Sequence, residues 1–224
     1  MTVHPPLTES VTRILIVDDH ELMRTGLRDL IQSQAGWTVC GEATNEIDAV
    51  QGFENTVPDL LVVDLNLKDS QGLNVIRRIK QMHPTARILV LTMHDENLYA
   101  ERCLRAGAQG FIDKQEPSRE ILRAMRTVLE GEVYVSETMG NQLLHRIIGD
   151  KSESKTAPME RLSDRELEIF CLIGRGLKTE DIARQLHLST NTIGTYRERL
   201  KTKLKAKSSA ELTRLALNWV SENG

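Results

Sequence analysis

Aromatic side chains are scarce in this 224-residue sequence, at 4% Phe, Trp and Tyr. It therefore lacks the stacked aromatic surface by which proteins hold unpaired RNA bases. The three cysteines, Cys40, Cys103 and Cys171, are odd in number, widely spaced and set in apolar or helical patterns without a metal-ligand cluster. They read as reduced structural thiols. Nowhere do about 18 apolar residues follow one another, and the stretch from Met1 to Ser10 has no basic cluster leading into an apolar run. Neither a membrane span nor an export signal is expected, and the chain reads as cytoplasmic and unanchored. A Gly-rich nucleotide loop is also missing, and no internal repeat or low-complexity tract is evident.

What is present is ordinary globular material, 40% apolar and 27% charged, in a length that suits two domains of unequal size. The net charge of −3 conceals an asymmetry. From Met159 to Gly224 there are 12 Lys+Arg against 9 Asp+Glu, which leaves 17 against 23 of the totals of 29 and 32 for the rest of the chain. The basic C-terminal part is the candidate polyanion binder.

Four apolar runs, Ile14-Leu15-Ile16-Val17, Leu60-Leu61-Val62-Val63, Ile88-Leu89-Val90-Leu91 and the shorter Phe111-Ile112, read as strands buried on both faces. Trp37-Thr38-Val39-Cys40 adds a weaker fifth, and helix-like spacing fills about 21–33, 45–54, 72–82, 96–106 and 118–130. This alternation predicts a five-stranded parallel doubly wound α/β domain over 12–130, after a tail of residues 1–11. A linker follows over 131–158, with a short helix from Glu137 to Ile148 and the polar stretch from Lys151 to Pro158. The domain over 159–224 is all-α: four helices near 164–174, 179–186, 190–204 and 208–219, with a capping box from Ser163 to Glu166 and Ser189 as the N-cap of the third.

Ligands of open parallel sheets bind beyond the carboxyl ends of the strands. The first strand runs into Asp18-Asp19, the third into Asp64, the fourth into Thr92 and the fifth into Lys114. Each suits phosphoryl transfer to a carboxylate, where a protein mainly positions groups and neutralises charge. Asp64 is the candidate nucleophile, forming an aspartyl-phosphate. Asp19, Asp64 and a nearby backbone carbonyl, best placed at Asn66, suit Mg²⁺, with Asp18 acting through water. Lys114 would pair with phosphoryl oxygens and Thr92 would donate a hydrogen bond. Singly, each has a plainer reading: an Asp after a strand caps a turn, a lysine is a solvated surface group, and Phe111 is core. Together they resemble the receiver domain of response regulators. That resemblance implies a switching role for the aromatic Phe111 and a loop glycine at Gly72. It also implies that Asn66 and His94, two residues beyond Asp64 and Thr92, control the dephosphorylation rate. Lys68 stands where that family usually has proline.

Residues of about 179–198 read as helix, tight turn at His187 to Ser189 and second helix, with Ile182, Ala183, Leu186, Leu188 and Ile193 as a small core. The basic run Arg197, Arg199, Lys201, Lys203, Lys205 and Lys207 suits phosphate contact. Over 160–219 the chain resembles the four-helix DNA-binding domain of the NarL/FixJ (LuxR-type) family, which pairs it with a receiver in this order. At 100° per residue Ile193, Leu200 and Leu204 share the inward face. Asn191, Thr195, Glu198 and Arg199 fall on the base-reading side, and Tyr196, Arg197, Lys201 and Lys203 on the flanks. Glu198 would accept from cytosine or orient Arg199.

The resemblance implies a switch rather than a dedicated enzyme, phosphorylated by a sensor histidine kinase, with Mg²⁺ as cofactor and double-stranded DNA as target. A homodimer on DNA is expected, and Leu212, Leu215 and Trp219 at helical spacing supply either the domain's own core alone or that core together with a seam involving Ala216. Two rivals remain at this stage. One is a Mg²⁺-dependent phosphatase or phosphotransferase, the other a DNA-binding regulator that uses its first domain only to dimerise.

Overall fold

Buried apolar runs and amphipathic helices alternate as the spacing predicts. The computed structural model describes residues 11–67, 70–148 and 159–223, and the chain divides into two compact units between Gln142 and Leu143. In the first, β1 (Thr12–Val17), α1 (Glu21–Gln32), β2 (Trp37–Ala43), α2 (Glu46–Thr56) and β3 (Leu60–Val63) are followed by a small antiparallel pair, β4 (Asn66–Leu67) and β5 (Ser70–Gln71). Then come α3 (Gly72–Met82), β6 (Ile88–Thr92), α4 (Glu96–Ala106), β7 (Gly110–Asp113) and α5 (Ser118–Leu129). The sheet order is β2-β1-β3-β6-β7, every pair parallel.

Helices cover both faces because the central strands are unbroken apolar runs over residues 14–17, 60–63 and 88–91. Ile14, Ile16, Leu60, Val62, Leu89 and Leu91 pack against Leu27 and Ile31 of α1 and Ile121, Met125 and Val128 of α5. The alternate residues Leu15, Val17, Leu61, Val63, Ile88 and Val90 are equally buried on the other face. Each such side chain stabilises by about 1.5–3 kcal/mol. Strand β2, at the edge and only half-buried, runs three residues past the expected Cys40 to Ala43. A bulge at Cys40 shifts its register, with Ile14 opposite Val39 and Leu15 opposite Gly41. Cys40, Cys103 and Cys171 form no disulfide with one another.

The segment after α5 closes the open edge of the sheet. Tyr134 bridges Gly110 in parallel, donating to Gln109 O and accepting from Phe111 N, both at 2.9 Å. The first half of α6 (Glu137–Ile148) belongs to the same unit. Met139 is buried, Ser136 N donates to Glu96 Oε1 at 2.8 Å, and Gln142 Nε2 to Asn97 Oδ1 at 3.2 Å. Residues 1–10 of the expected tail at 1–11, Lys68 and the polar stretch from Lys151 to Pro158 lie outside the described residues.

The second unit holds a 3₁₀ turn (Met159–Arg161), α7 (Asp164–Gly174), α8 (Thr179–Gln185), α9 (Thr190–Leu204) and α10 (Ser209–Asn223). Both bonds of the Ser163/Glu166 capping box are made, and Ser189 Oγ accepts from Thr192 N at 3.0 Å. His187 takes a left-handed φ of 52° between α8 and α9, and this tightens the turn. Gly174, the last residue of α7, admits α10: a Cβ there would lie 2.5 Å from Ala216 O. Ala216 is accordingly fully buried within the unit, with Leu212 and Trp219. Its expected place in a seam between copies is corrected by this contact. The exposed apolar residues of α10 are Leu215 and Leu217.

Candidate functional site

Parallel pairing in register brings the strand ends together. Val17 lies opposite Val63, Val63 opposite Val90 and Thr92 opposite Asp113. The ladder extends one step further through Asp64 N to Val17 O at 2.8 Å and Lys114 N to Thr92 O at 2.9 Å. Asp18, Asp64, Thr92 and Lys114 therefore start from fixed backbone positions on one edge.

Lys114 Nζ stands 2.6 Å from both Asp18 Oδ2 and Asp64 Oδ2, and all three side chains are buried. One ammonium shared between two carboxylates leaves negative charge in a desolvated place. Burial pushes the Asp64 carboxyl above its ordinary range and Asp18 adds to this, while Lys114 and the Thr92 hydroxyl pull against it. Burial alone would lower the Lys114 ammonium, but the two carboxylates outweigh it and hold it above the ordinary lysine value. Asp64 Oδ1 is buried with no hydrogen-bond partner among the described residues. An unsatisfied carboxylate oxygen beside Asp18 and Asp19 is a hard donor set that fits Mg²⁺.

Glycine is required behind this edge. A Cβ at Gly72 would fall 2.0 Å from Asp64 O, and Gly72 N donates to Leu65 O at 2.9 Å. Phe111 lies inside, 1% exposed. Asn66 and His94, expected separately as neighbours of the reacting group, are joined directly, His94 Nε2 to Asn66 Oδ1 at 2.9 Å. The His94 ring also packs on Tyr99, with centroids 4.4 Å apart.

Two neighbours escaped the sequence reasoning. His20 N donates to Asp18 Oδ1 at 2.8 Å, and its Nδ1 lies 2.8 Å from Asp19 Oδ1. Arg24 Nη1 donates to Asp18 O at 2.8 Å. His20 adjoins the acidic pair and was open to notice. Arg24 reaches it from the first turn of α1, six residues after Asp18.

In the second unit Ile193 and Leu200 of α9 are buried, while Asn191, Thr195, Glu198, Arg199 and Thr202 are exposed together. Nothing stands within 4 Å of a Cβ built at Gly194. Arg199 lies over the Tyr196 ring, 5.6 Å from its centroid, and Glu198 pairs with Lys201 at 2.8 Å rather than orienting Arg199. Lys203, expected on a phosphate-contacting flank, is paired within its own domain although its side chain stays 40% exposed: Nζ is 2.6 Å from Glu166 Oε2 and 3.2 Å from Arg161 O. Helical periodicity placed Lys203 on the flank, but the partner it meets there comes from α7, some 37 residues away in sequence.

Residues 14–126 match the response regulator receiver domain, and residues 160–216 match the bacterial regulatory proteins of the luxR family. The response regulator UvrY of Escherichia coli (strain K12) is 36% identical over 205 residues, covering 91% of this chain and 93% of that protein. The oxygen regulatory protein NreC of Staphylococcus epidermidis is 35% identical over 210 residues, covering 92% and 96%. The solved structure of the RcsB response regulator of Salmonella typhimurium is similar with a TM-score of 0.55 at 25% identity, covering 95% of this chain and 98% of that one. With an acid-lined receiver edge and a LuxR-type helix-turn-helix in one chain, this protein belongs to the NarL/FixJ family of two-component response regulators that act in transcription.

Proposed function

We propose that Asp64 accepts a phosphoryl group from the phosphohistidine of a sensor kinase, and that its phosphorylation controls DNA binding by α9. The observation that carries this is the Asp64 carboxylate itself: Oδ2 held by Lys114 and Oδ1 left without a partner. In the transfer an Asp64 oxygen forms the O–P bond as the P–N bond to histidine breaks, and the freed imidazole takes up a proton. Asp18, Asp19, Asp64 and the Asn66 carbonyl would hold Mg²⁺, which supplies positive charge against the clustered carboxylates and the incoming phosphoryl oxygens. Lys114 exchanges its bond to Asp64 for one to a phosphoryl oxygen, and the buried Thr92 hydroxyl donates to another. Displacing Lys114 and recruiting Thr92 alters the packing beneath β6 and β7, where Phe111 lies, so the modified state differs from the bare one. The His94–Asn66 hydrogen bond is the support for a role of both residues in water access to the acyl phosphate. Breaking it by His94→Ala or Asn66→Ala changes the rate of phosphate loss.

Among the described residues no helix is long and apolar enough to cross a membrane, in keeping with a protein that meets DNA in the cytoplasm. α9 would enter the major groove with Thr195, Arg199, Asn191 and Glu198 toward the bases. Tyr196, Arg197 and Lys201 would lie along the backbone, with Lys203 bracing the helix against α7. A homodimer on DNA would use the exposed Leu215 and Leu217 of α10. The deciding experiment is phosphorylation of the full chain by a small phosphodonor with Mg²⁺, compared with Asp64→Asn. The expected outcome is complete loss of alkali- and hydroxylamine-labile phosphate in the variant and no phosphodonor effect on its DNA affinity. Full labelling of Asp64→Asn would remove the assignment.

A further inference from the structure

Three carboxylates and the Asn66 carbonyl make up the cation site proposed above, yet a further donor, His20, stands at the same place. His20 precedes α1 with φ −86° and ψ 109°, an extended conformation anchored by its own N–H on Asp18 Oδ1. From there the imidazole is directed over the acidic pair, with Nδ1 2.8 Å from Asp19 Oδ1 and 3.3 Å from Asp18 Oδ1. One ligand atom each from Asp18, Asp19, His20 and Asp64 lie within 4.8 Å of one another. Ligands on opposite sides of a divalent cation held at about 2.1–2.4 Å stand about 4.2–4.8 Å apart, so the separations of all four atoms are compatible with one coordination sphere. The unpartnered, buried Asp64 Oδ1 independently marks this as a place where the protein leaves an acceptor for something else to satisfy.

We propose that His20 is a metal ligand, and that it opens the phosphorylation site to borderline divalent cations such as Co²⁺, Ni²⁺ and Zn²⁺ as well as to Mg²⁺. The inference rests on reading Asp18, Asp19 and Asp64 as the cation site. Mg²⁺ favours hard oxygen donors and retained water, and gains little from an imidazole. First-row transition ions bind imidazole nitrogen strongly, so one added nitrogen shifts the selectivity of an otherwise all-oxygen set. The His20 side chain is 66% exposed, so its ring moves from the Asp19 carboxylate onto an ion without disturbing the core. A His20 that only donated a hydrogen bond to Asp19 would instead affect every cation alike, through the placement of that carboxylate.

The experiment is a titration of the full-length, unphosphorylated chain with Co²⁺, read by its visible absorption, and with Mg²⁺, read by calorimetry. Wild type, His20→Ala and Asp19→Asn are compared. His20→Ala is expected to lower Co²⁺ affinity by at least tenfold more than it lowers Mg²⁺ affinity, and to shift the Co²⁺ absorption bands as a nitrogen ligand is replaced by water. Asp19→Asn weakens both cations. Any smaller difference between the two cations in His20→Ala, or an unshifted Co²⁺ spectrum, overturns the proposal. If wild type binds neither cation, the carboxylate reading falls with it. If Mg²⁺ binds and only the His20 difference is missing, that reading stands and this inference alone is lost.

Discussion

The two candidate sites handle their polar groups in opposite ways, one in each unit. In the first, Asp18, Asp64 and Lys114 are drawn inside the protein at 2.6 Å contacts. In the second, Asn191, Thr195, Glu198 and Arg199 stand exposed along one helix. Charges taken out of water interact strongly and shift one another's proton affinity, which suits a site where a bond is made. Charges left in water interact weakly and remain available to a polyanion. Away from that face the second unit also buries carboxylates, at Asp164, Glu166 and Glu168, with Glu168 paired to Arg165 and Glu166 to Lys203, whose side chain stays 40% exposed.

Removing Lys114 tests the buried half of this contrast with the largest effect. Lys114→Ala leaves Asp18 and Asp64 buried without their cation, at a cost of about 3–5 kcal/mol. Mg²⁺ should restore part of that loss, so the denaturant midpoint of the variant rises more with Mg²⁺ than that of wild type. Urea unfolding read at Trp37 in a Trp219→Phe background reports this for the first unit. An equal Mg²⁺ response in both proteins would show that Lys114 does not hold the place of a cation.

On the exposed half, Arg199→Ala should cost about 1–3 kcal/mol on the specific DNA site and relax preference at one base position. Lys203→Ala should leave the salt dependence of binding nearly unchanged and lower the thermal stability of the second unit, because its ammonium serves Glu166 rather than a phosphate. Titrations against single-base variants of the site at several salt concentrations separate the two. A flattened salt slope in Lys203→Ala would return it to the DNA-facing surface.

The smallest effect is one of pH. Burial would raise the Glu166 carboxyl, but the hydrogen bonds from Lys203 and Ser163 outweigh it and hold it below its ordinary value of 4.5. The folded value lies below the unfolded one, so the contribution to stability is complete above 4.5 and is lost as pH falls through the folded value. Melting of the second unit should lose this component in Glu166→Gln, which retains the shape of the side chain. An identical acid limb in both proteins would show that Glu166 titrates as it does in the unfolded chain.

Most of the receiver edge was legible because a parallel sheet sends every strand end to the same side. Once Ile14–Val17, Leu60–Val63 and Ile88–Leu91 were recognised as strands, the positions of Asp18, Asp64 and Thr92 followed. The end of β2 was less legible, since an edge strand with half-buried residues loses the unbroken apolar signal. The β4/β5 pair is only two residues on each side and carries no periodicity at all. In the second unit the capping box and the Ser189 N-cap are local patterns of three or four residues and were read correctly. Ala216 was misplaced because helical spacing identifies a face without saying what covers it.

By itself, then, the sequence determined the βα alternation, the order of the acidic residues, the helix caps and the inward face of α9, all of which depend on neighbours within a turn or a strand. Tertiary structure alone decided that Lys114 bridges two carboxylates 96 and 50 positions earlier, that His94 meets Asn66 and that Lys203 meets Glu166. It also decided that His20 leans over Asp19. Such pairings depend on where separate elements come to rest and which way long side chains then turn. No spacing along the chain encodes a distance between groups that only packing brings within 3 Å.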